Sequence, residues 1–461
     1  MKKGRHYSKE EIAVISQSAI GKSFREIRDV ELITVEDEKV QKGSMGGIIE
    51  EYLFGIEPNG ESEPDFIDAG IELKVTPYKK NKDNTLSAKE RLVLNMIDYM
   101  TEYKNEFYTS HFWFKNNKLE ILWYLHEDNK DKLDFKITNE VLLDLSISED
   151  LKQIEKDWNI IIKKIRDGKA HEISEGDTMY LGACTKGVNA NSVREQPFSK
   201  LPAKKRAFCF KNSYMTQLVR KYIGDYTNVE KILTNKNETF DEFVNNVINK
   251  YKGKTQKELM NLFNIESNAK NLNSMLISRM FGVKGNLSDT EEFLKANIVP
   301  RTIRIEENGR IKESMPFPAF KFEDIIRQEW ETSDFRETLE STKYMFFVFK
   351  VINGEYVFKG IKLWNMPELD IQLEAKHVWE LTRICIITGN IVKEIDKNGN
   401  RTTCFPGVSV SKVCHVRPHA RDSQDTYPLP IADQLTGLTN YTKHCFWLNN
   451  TYIKEIFSEY I

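Results

Sequence analysis

From Asp65 to Lys74 the chain reads Asp-Phe-Ile-Asp-Ala-Gly-Ile-Glu-Leu-Lys: an acid, six intervening residues, then Glu-x-Lys. Side chains alternate along a strand, so Glu72 and Lys74 share one face while Ile71, Leu73 and Val75 face an apolar layer. Asp65 follows Pro64 and precedes the turn-forming Asp68-Ala69-Gly70, so it can fold back as the other arm of a hairpin. Two carboxylates and a lysine then converge. Hard oxygen ligands suit Mg²⁺, and a divalent ion held there can polarise a phosphoryl oxygen and acidify a water nucleophile. The lysine can position that water or offset the charge of a phosphorane. Taken alone, the same residues also fit an exposed strand with a surface ion pair.

Elements that could position such a centre surround it. Upstream, Lys42-Gly43-Ser44-Met45-Gly46-Gly47 leads into the apolar helix Ile48 to Phe54, which carries Glu50 and stops at Gly55; a polar Pro/Gly loop then reaches Asp65. Downstream come Thr76 and Pro77, Thr109-Ser110-His111 with Lys115, and an apolar strand from Leu119 to Leu125. Asp157-Trp158, Gly168 and Tyr180-Leu181 follow, then Thr185-Lys186-Gly187-Val188-Asn189-Ala190-Asn191 and a last strand and helix from Arg206 to Tyr222. This order resembles the MutH family of endonucleases, from about Lys42 to Gly224. The 87–95 and 171–176 stretches resemble in particular the two-domain, Sau-type type II restriction endonucleases that cut GATC.

The resemblance implies Asp65 and Glu72 as metal ligands with Glu50 orienting or ligating from its helix, Lys74 assisting the attacking water, and Lys115 as a partner for phosphate. It implies Mg²⁺ as cofactor and places Lys186, Asn189 and Asn191 on a loop that reads GATC in the major groove, with Lys211 close to DNA. Cys184-Thr185 stands where the family has Arg-Pro, which leaves Lys186 to donate to guanine O6 and N7. Double-stranded DNA containing GATC is the implied partner, together with self-association on two DNA sites and a cognate DNA methyltransferase.

The 461 residues suffice for two or three domains, and a net charge of −2 leaves DNA binding to local basic patches. Lys79, Lys80, Lys82, Lys89 and Arg91 form one such run; Lys200, Lys204, Lys205, Arg206 and Lys211, interleaved with Phe198, Phe208 and Phe210, form another. Both read as phosphate contacts. The six cysteines have no metal-type spacing and read as buried or inert thiols of a reducing cytoplasm. Ser8-Lys9-Glu10-Glu11 reads as a capping box, and neither an apolar leader nor a membrane-spanning run is evident.

The expected organisation is an α/β (α+β) chain with two tandem restriction-endonuclease-fold domains, each a central mixed sheet flanked by helices. Residues 1–224 would be catalytic, 225–297 a helical linker, and 298–461 a divergent second copy acting as DNA-binding effector. In that copy 320–330 is matched with 48–54, the hairpin of Tyr344 to Lys350 and Glu355 to Trp364 with Phe112 to Tyr124, and Cys414 to Ser423 with Ala183 to Ser192. Between Trp330 and Phe347, where the motif would fall, no acid precedes an alternating Glu-x-Lys at the right distance. Arg417-Pro418-His419 resembles the family's Arg-Pro-Lys reading loop, so Arg417 and His419 are candidate DNA contacts; His415 and His419 lack the further ligands of a zinc site. The expected function is a cytoplasmic, Mg²⁺-dependent type II restriction endonuclease. The alternatives are a GATC nickase of mismatch repair and a non-cleaving DNA-binding regulator.

Overall fold

The computed structural model describes residues 4–29, 45–57, 62–187, 192–224, 229–235, 238–266, 271–311 and 315–461. It is a mixed α/β chain whose contacts divide into two compact units, 1–243 with 288–298 and 244–287 with 299–461.

In the first unit α1 (Lys9–Ala19) opens with the capping box of Ser8 and Glu11, and α2 (Phe24–Asp29) follows. The short helix α3 (Met45–Ile48) widens into the π-helical turn Ile49–Phe54, which ends at Gly55 in the left-handed region. Strands β1 (Glu72–Lys80), β2 (Leu86–Ala88) and β3 (Leu92–Met96) come next. Helices α4 (Tyr99–Glu102) and α5 (His111–Asn116) then lead to β4 (Lys118–Leu125) and β5 (Ile137–Asp144). One sheet has the order β2-β1-β4-β5. Its β1 and β4 are parallel, and residues 81–117 supply the crossover that a parallel pair requires.

After α6 (Leu151–Arg166), β6 (Leu181–Thr185) and the hairpin β7 (Val193–Gln196) with β8 (Ser199–Lys204) lead to β9 (Arg206–Phe210) and α7 (Asn212–Tyr222). The second sheet has the order β3-β9-β6, with the late strand β9 in its middle. Asp157 of α6, fully buried, accepts the backbone N–H groups of Met179, Tyr180 and Leu181 at 2.9, 2.6 and 3.0 Å and so fixes the start of β6.

Residues 225–297 carry the helices α8 (Phe240–Tyr251), α9 (Gln256–Leu262), α10 (Leu272–Met280) and α11 (Glu291–Ala296) and no strand among those described, but they form no separate body. Helix α11 packs on α7, where Ser213 Oγ donates to the Lys295 carbonyl at 2.8 Å. The α9 start instead joins the second unit, since Gly253 N donates to Phe358 O at 2.8 Å.

The second unit continues with β10 (Ile298–Ile305), β11 (Met315–Phe320), α12 (Phe322–Arg327), α13 (Asp334–Ser341), β12 (Lys343–Ile352) and β13 (Glu355–Trp364). Helix α14 (Lys376–Ile387) precedes β14 (Val392–Ile395), β15 (Arg401–Thr403), β16 (Cys414–Pro418), β17 (Thr426–Pro428), β18 (Asn440–Thr442), β19 (His444–Leu448) and α15 (Asn450–Ile456). Its main sheets are β10-β12-β13 and β11-β19-β16. These repeat the orders β1-β4-β5 and β3-β9-β6, so β12 and β13 correspond to β4 and β5.

That correspondence corrects three sequence matches. Phe112 lies in α5 and not in a hairpin arm, and Thr109-Ser110-His111 forms a helix start. Residues 330–341 match the turn and helix at 107–116 through Ser333, which caps α13 as Ser110 caps α5; 320–330 therefore do not match 48–54. The counterpart of the acid-bearing β1 is β10, not the stretch between Trp330 and Phe347. Cys385 and Cys404 are brought to a Cα separation of 5.9 Å and joined in a disulfide, contrary to the expectation of six free thiols; the other four are buried thiols. Among the described residues no helix is long and apolar enough to cross a membrane.

Candidate active site

Phe66 and Ile71 exchange backbone hydrogen bonds at 2.9 and 3.2 Å, closing the tight turn that the Asp-Ala-Gly sequence calls for, with Gly70 at φ +61°. The turn sets Asp65 beside the start of β1. Asp65 Oδ2 accepts from Leu73 N at 2.9 Å, and Glu72 Oε2 accepts from Asp65 N at 3.2 Å. Ile71 and Leu73 are buried on the opposite face, as period-2 alternation demands.

Glu72 is 2% exposed and accepts from Lys74 Nζ at 2.6 Å through Oε1; Lys115 Nζ lies 3.6 Å from the same oxygen. Burial pushes the Glu72 carboxyl up to about 7 and Asp65 adds to the rise, while Lys74 and Lys115 oppose it. Glu50 reaches the same place from the π-helical turn. Its carboxyl is held above the ordinary range by burial and by Asp65, with Lys74 and Lys115 again opposing. Glu50, Asp65, Glu72, Lys74 and Lys115 are thus electrostatically one group.

Residues to which the sequence reading gave no role of their own hold this group in place. Arg5 donates from Nε to the Asp65 carbonyl at 3.2 Å and from Nη2 to the Pro64 carbonyl at 2.7 Å, tying the N-terminal segment to the acid's own backbone. Ser110 Oγ caps α5 by accepting from Trp113 N at 3.0 Å, and Asn116 Nδ2 donates to Asn95 Oδ1 at 2.9 Å. Buried Glu102 accepts from His111 Nδ1 at 2.9 Å, provided that nitrogen carries the proton. Together these fix the short helix that aims Lys115. None is near the motif in sequence.

Glu72 and Glu50, whose charged forms are opposed by burial and by the neighbouring Asp65, offer with Asp65 a set of oxygen donors that suits a hard divalent cation. Among the described residues no three His, Cys, Asp or Glu side chains are close enough to enclose an ion as they stand. The Lys74 ammonium is the cation that Glu72 now holds.

On the second sheet Lys186 is exposed, and its N–H donates to Lys205 O at 2.7 Å; Lys205 N in turn donates to Ser192 O at 3.0 Å. Asn189 and Asn191, like Lys42 and Gly43 upstream of the site, lie outside the described residues. Lys211 cannot serve as a DNA contact here. It is 1% exposed, its Nζ donates to Thr178 O at 2.6 Å, and burial lowers its pKa. Arg206 is also internal, bonded to Ala183 O at 2.6 Å, so the second basic run is only partly a surface. In the other unit the exposed Arg417 guanidinium lies 3.8 Å from the Trp447 ring centre, with His419 edge-on to that ring at 5.2 Å.

The family described as DNA mismatch repair enzyme MutH matches residues 54–157, which include Asp65, Glu72, Lys74 and Lys115. The type II restriction enzyme Sau3AI of Staphylococcus aureus is 35% identical over 487 residues, covering 98% of this chain and 98% of that protein. The chain belongs to the MutH family of endonucleases, in its Sau-type branch. Family membership makes it a nuclease of the restriction-endonuclease fold, and restriction endonucleases generally use divalent metal ions. The end-to-end match also takes in the second unit, which the MutH match does not reach.

Proposed function

We propose that this chain is a cytoplasmic type II restriction endonuclease that hydrolyses double-stranded DNA at GATC with Mg²⁺ as cofactor. The observation that carries this reading is the buried Glu72 carboxylate, shared between Lys74 and Lys115 and backed by Asp65 and Glu50. A divalent cation taken by Asp65, Glu72 and Glu50 would polarise the scissile phosphoryl oxygen and lower the pKa of a water. Lys74, displaced from its carboxylate, orients that water for in-line attack. Lys115, held on a helix braced at both ends, offsets the negative charge that develops on phosphorus. Lys186, with Asn189 and Asn191, reads the bases from the loop after β6, while exposed lysines on the 79–89 run hold phosphates.

In the second unit Arg417 and His419 bind a further GATC site and promote association of two chains, since one centre per chain cannot cut both strands in one pose. A cognate DNA methyltransferase would protect the host's own sites. The end-to-end likeness to a type II restriction enzyme favours this over a mismatch-repair nickase. Supercoiled plasmid incubated with Mg²⁺ or EDTA, with the ends mapped, tests the reading. Linear product ending at GATC, formed only with Mg²⁺, is expected. Nicked circles alone would point to the nickase, and binding without any cutting to a regulator.

A further inference from the structure

One face of the β3-β9-β6 sheet carries an unusual set of residues. The register pairs Val93 with Cys209, Cys209 with Gly182 and Ala207 with Cys184, so these five share a face, and Phe208 and Phe210 turn to the opposite, buried side. Glu175 lies over that face. A Cβ placed on Gly182 would stand 3.0 Å from Glu175 Cγ and 3.4 Å from Cys209 Sγ. The Glu175 side chain is 4% exposed and its carboxylate grips Nη1 of Arg91, whose own side chain is 28% exposed. Lys186 continues the same ladder two residues beyond Cys184, and the charges of Arg91 and Lys186 both act on the Cys184 thiol.

The second unit shows what this face holds elsewhere. Arg417 pairs with Cys445 as Cys184 pairs with Ala207, and His419 N donates to Lys443 O as Lys186 N donates to Lys205 O. Arg417 therefore occupies the register of Cys184, and Trp447, on which its guanidinium lies, occupies that of Cys209. The first unit has two thiols at these positions and a guanidinium arriving from the opposite edge of the sheet.

We propose that Arg91, oriented by the buried Glu175, takes the place of the missing strand arginine and donates to the O6 and N7 acceptors of the guanine in the recognition site. The inference rests on the GATC reading above. A buried carboxylate that grips a guanidinium restrains its rotation and presets the plane of its donors, and a planar donor fork is the geometry that guanine's paired acceptors select. It separates Arg91 from its neighbours Lys79, Lys80, Lys82 and Lys89, which are exposed and suited to phosphate.

The test is a cycle on the full-length enzyme: cleavage kcat/KM for wild type and Arg91→Ala, each on duplexes with guanine or 7-deazaguanine at the site. Wild type should lose about tenfold when N7 is removed; Arg91→Ala should lose at least about tenfold on natural DNA and nothing further on the 7-deaza duplex. Because Arg91→Ala leaves a buried acid unpaired, Arg91→Gln/Glu175→Gln is run beside it with a melting curve, and the same insensitivity is expected. A full 7-deaza penalty in either variant overturns the proposal, as does a wild type indifferent to N7. Equal weakening on GATC and GATC-free duplexes overturns it too and makes Arg91 a phosphate contact. Failure of wild type to cut GATC at all would instead strike the functional reading on which the proposal rests.

Discussion

The two units repeat the same strand orders, and in the β3-β9-β6 and β11-β19-β16 sheets the same registers, yet they place opposite kinds of side chain at matching points. In β1 the edge facing the site carries Glu72 and Lys74; its counterpart β10 reads Ile-Val-Pro-Arg-Thr-Ile-Arg-Ile, without a carboxylate. Lys211, which opens α7, is matched by Asn449, and both are buried polar residues that bond the loop before the edge strand of their own sheet, β6 or β16: Lys211 to Thr178 O at 2.6 Å, Asn449 Nδ2 to Ser411 O at 2.6 Å. Such groups are held because a backbone carbonyl there needs a donor, whichever residue provides it. The difference teaches that strand register fixes where a side chain stands, and that a few residues decide whether the place does chemistry.

The sharpest way to break this comparison is to remove the charges that only the first unit has. Asp65→Ala, Glu72→Ala or Lys74→Ala should each lower cleavage by at least about a thousandfold with DNA binding largely kept, because base and phosphate contacts lie elsewhere. Arg301→Ala, on the matching strand β10, should leave cutting of single-site DNA unchanged. Near wild-type turnover in Asp65→Ala would end the assignment.

The next effect is on stability, and the two units should answer pH in opposite directions. Glu72 is raised from 4.5 to about 7, so the unfolded chain releases this proton first, and the site loses stability as pH rises from about 4.5 towards 7. Without divalent ions at pH 7, Glu72→Gln should therefore raise the melting temperature of the first unit, the ionised acid costing about 3 kcal/mol at most. His444 is lowered from 6.5 to about 4 by burial. The unfolded chain then takes up the proton first, so stability in the second unit is full above about 6.5 and falls as pH drops towards 4, again by about 3 kcal/mol at most. Urea unfolding of His444→Asn between pH 7 and 4.5 should lose that slope. If wild type and variant fall in parallel, His444 is not the titrating group.

The smallest effect concerns what the units share. A plasmid with two GATC sites should be cut a few times faster than one with a single site, and Arg417→Ala should abolish the advantage without touching single-site cutting. Equal rates on both plasmids in wild type would leave the second unit without an effector role.

Much of the first unit could be read from sequence because its signals are local. Alternation around Ile71 to Val75 and the Ser8 cap depend on residues only a few positions apart, and the structure has both features. The bracing of Lys115 by Glu102 and Asn116, the Arg5 clamp and the Cys385–Cys404 link are contacts between distant segments, which no local pattern encodes. Lys211 was misread for the related reason that a lysine next to Phe208 and Phe210 looks the same in sequence whether the aromatic ladder carries it outward or inward. The helical stretch was recognisable as helical, but its division between units depends on which helix packs where.

The backbone around Lys205 has one further consequence. Its carbonyl accepts from Lys186 and its amide donates to Ser192, so one residue clamps both flanks of the segment proposed above to read the bases, while Gln196 Nε2 ties the adjoining hairpin across to Leu201 O at 2.6 Å. The ends of the loop are thereby joined before DNA arrives, and ring closure adds little to the entropy lost on binding. Doubling the length of a loop so anchored costs only about 0.6 kcal/mol. If the proposed reading role holds, sequence between the two posts could change, and recognition with it, while the posts on the sheet stay as they are.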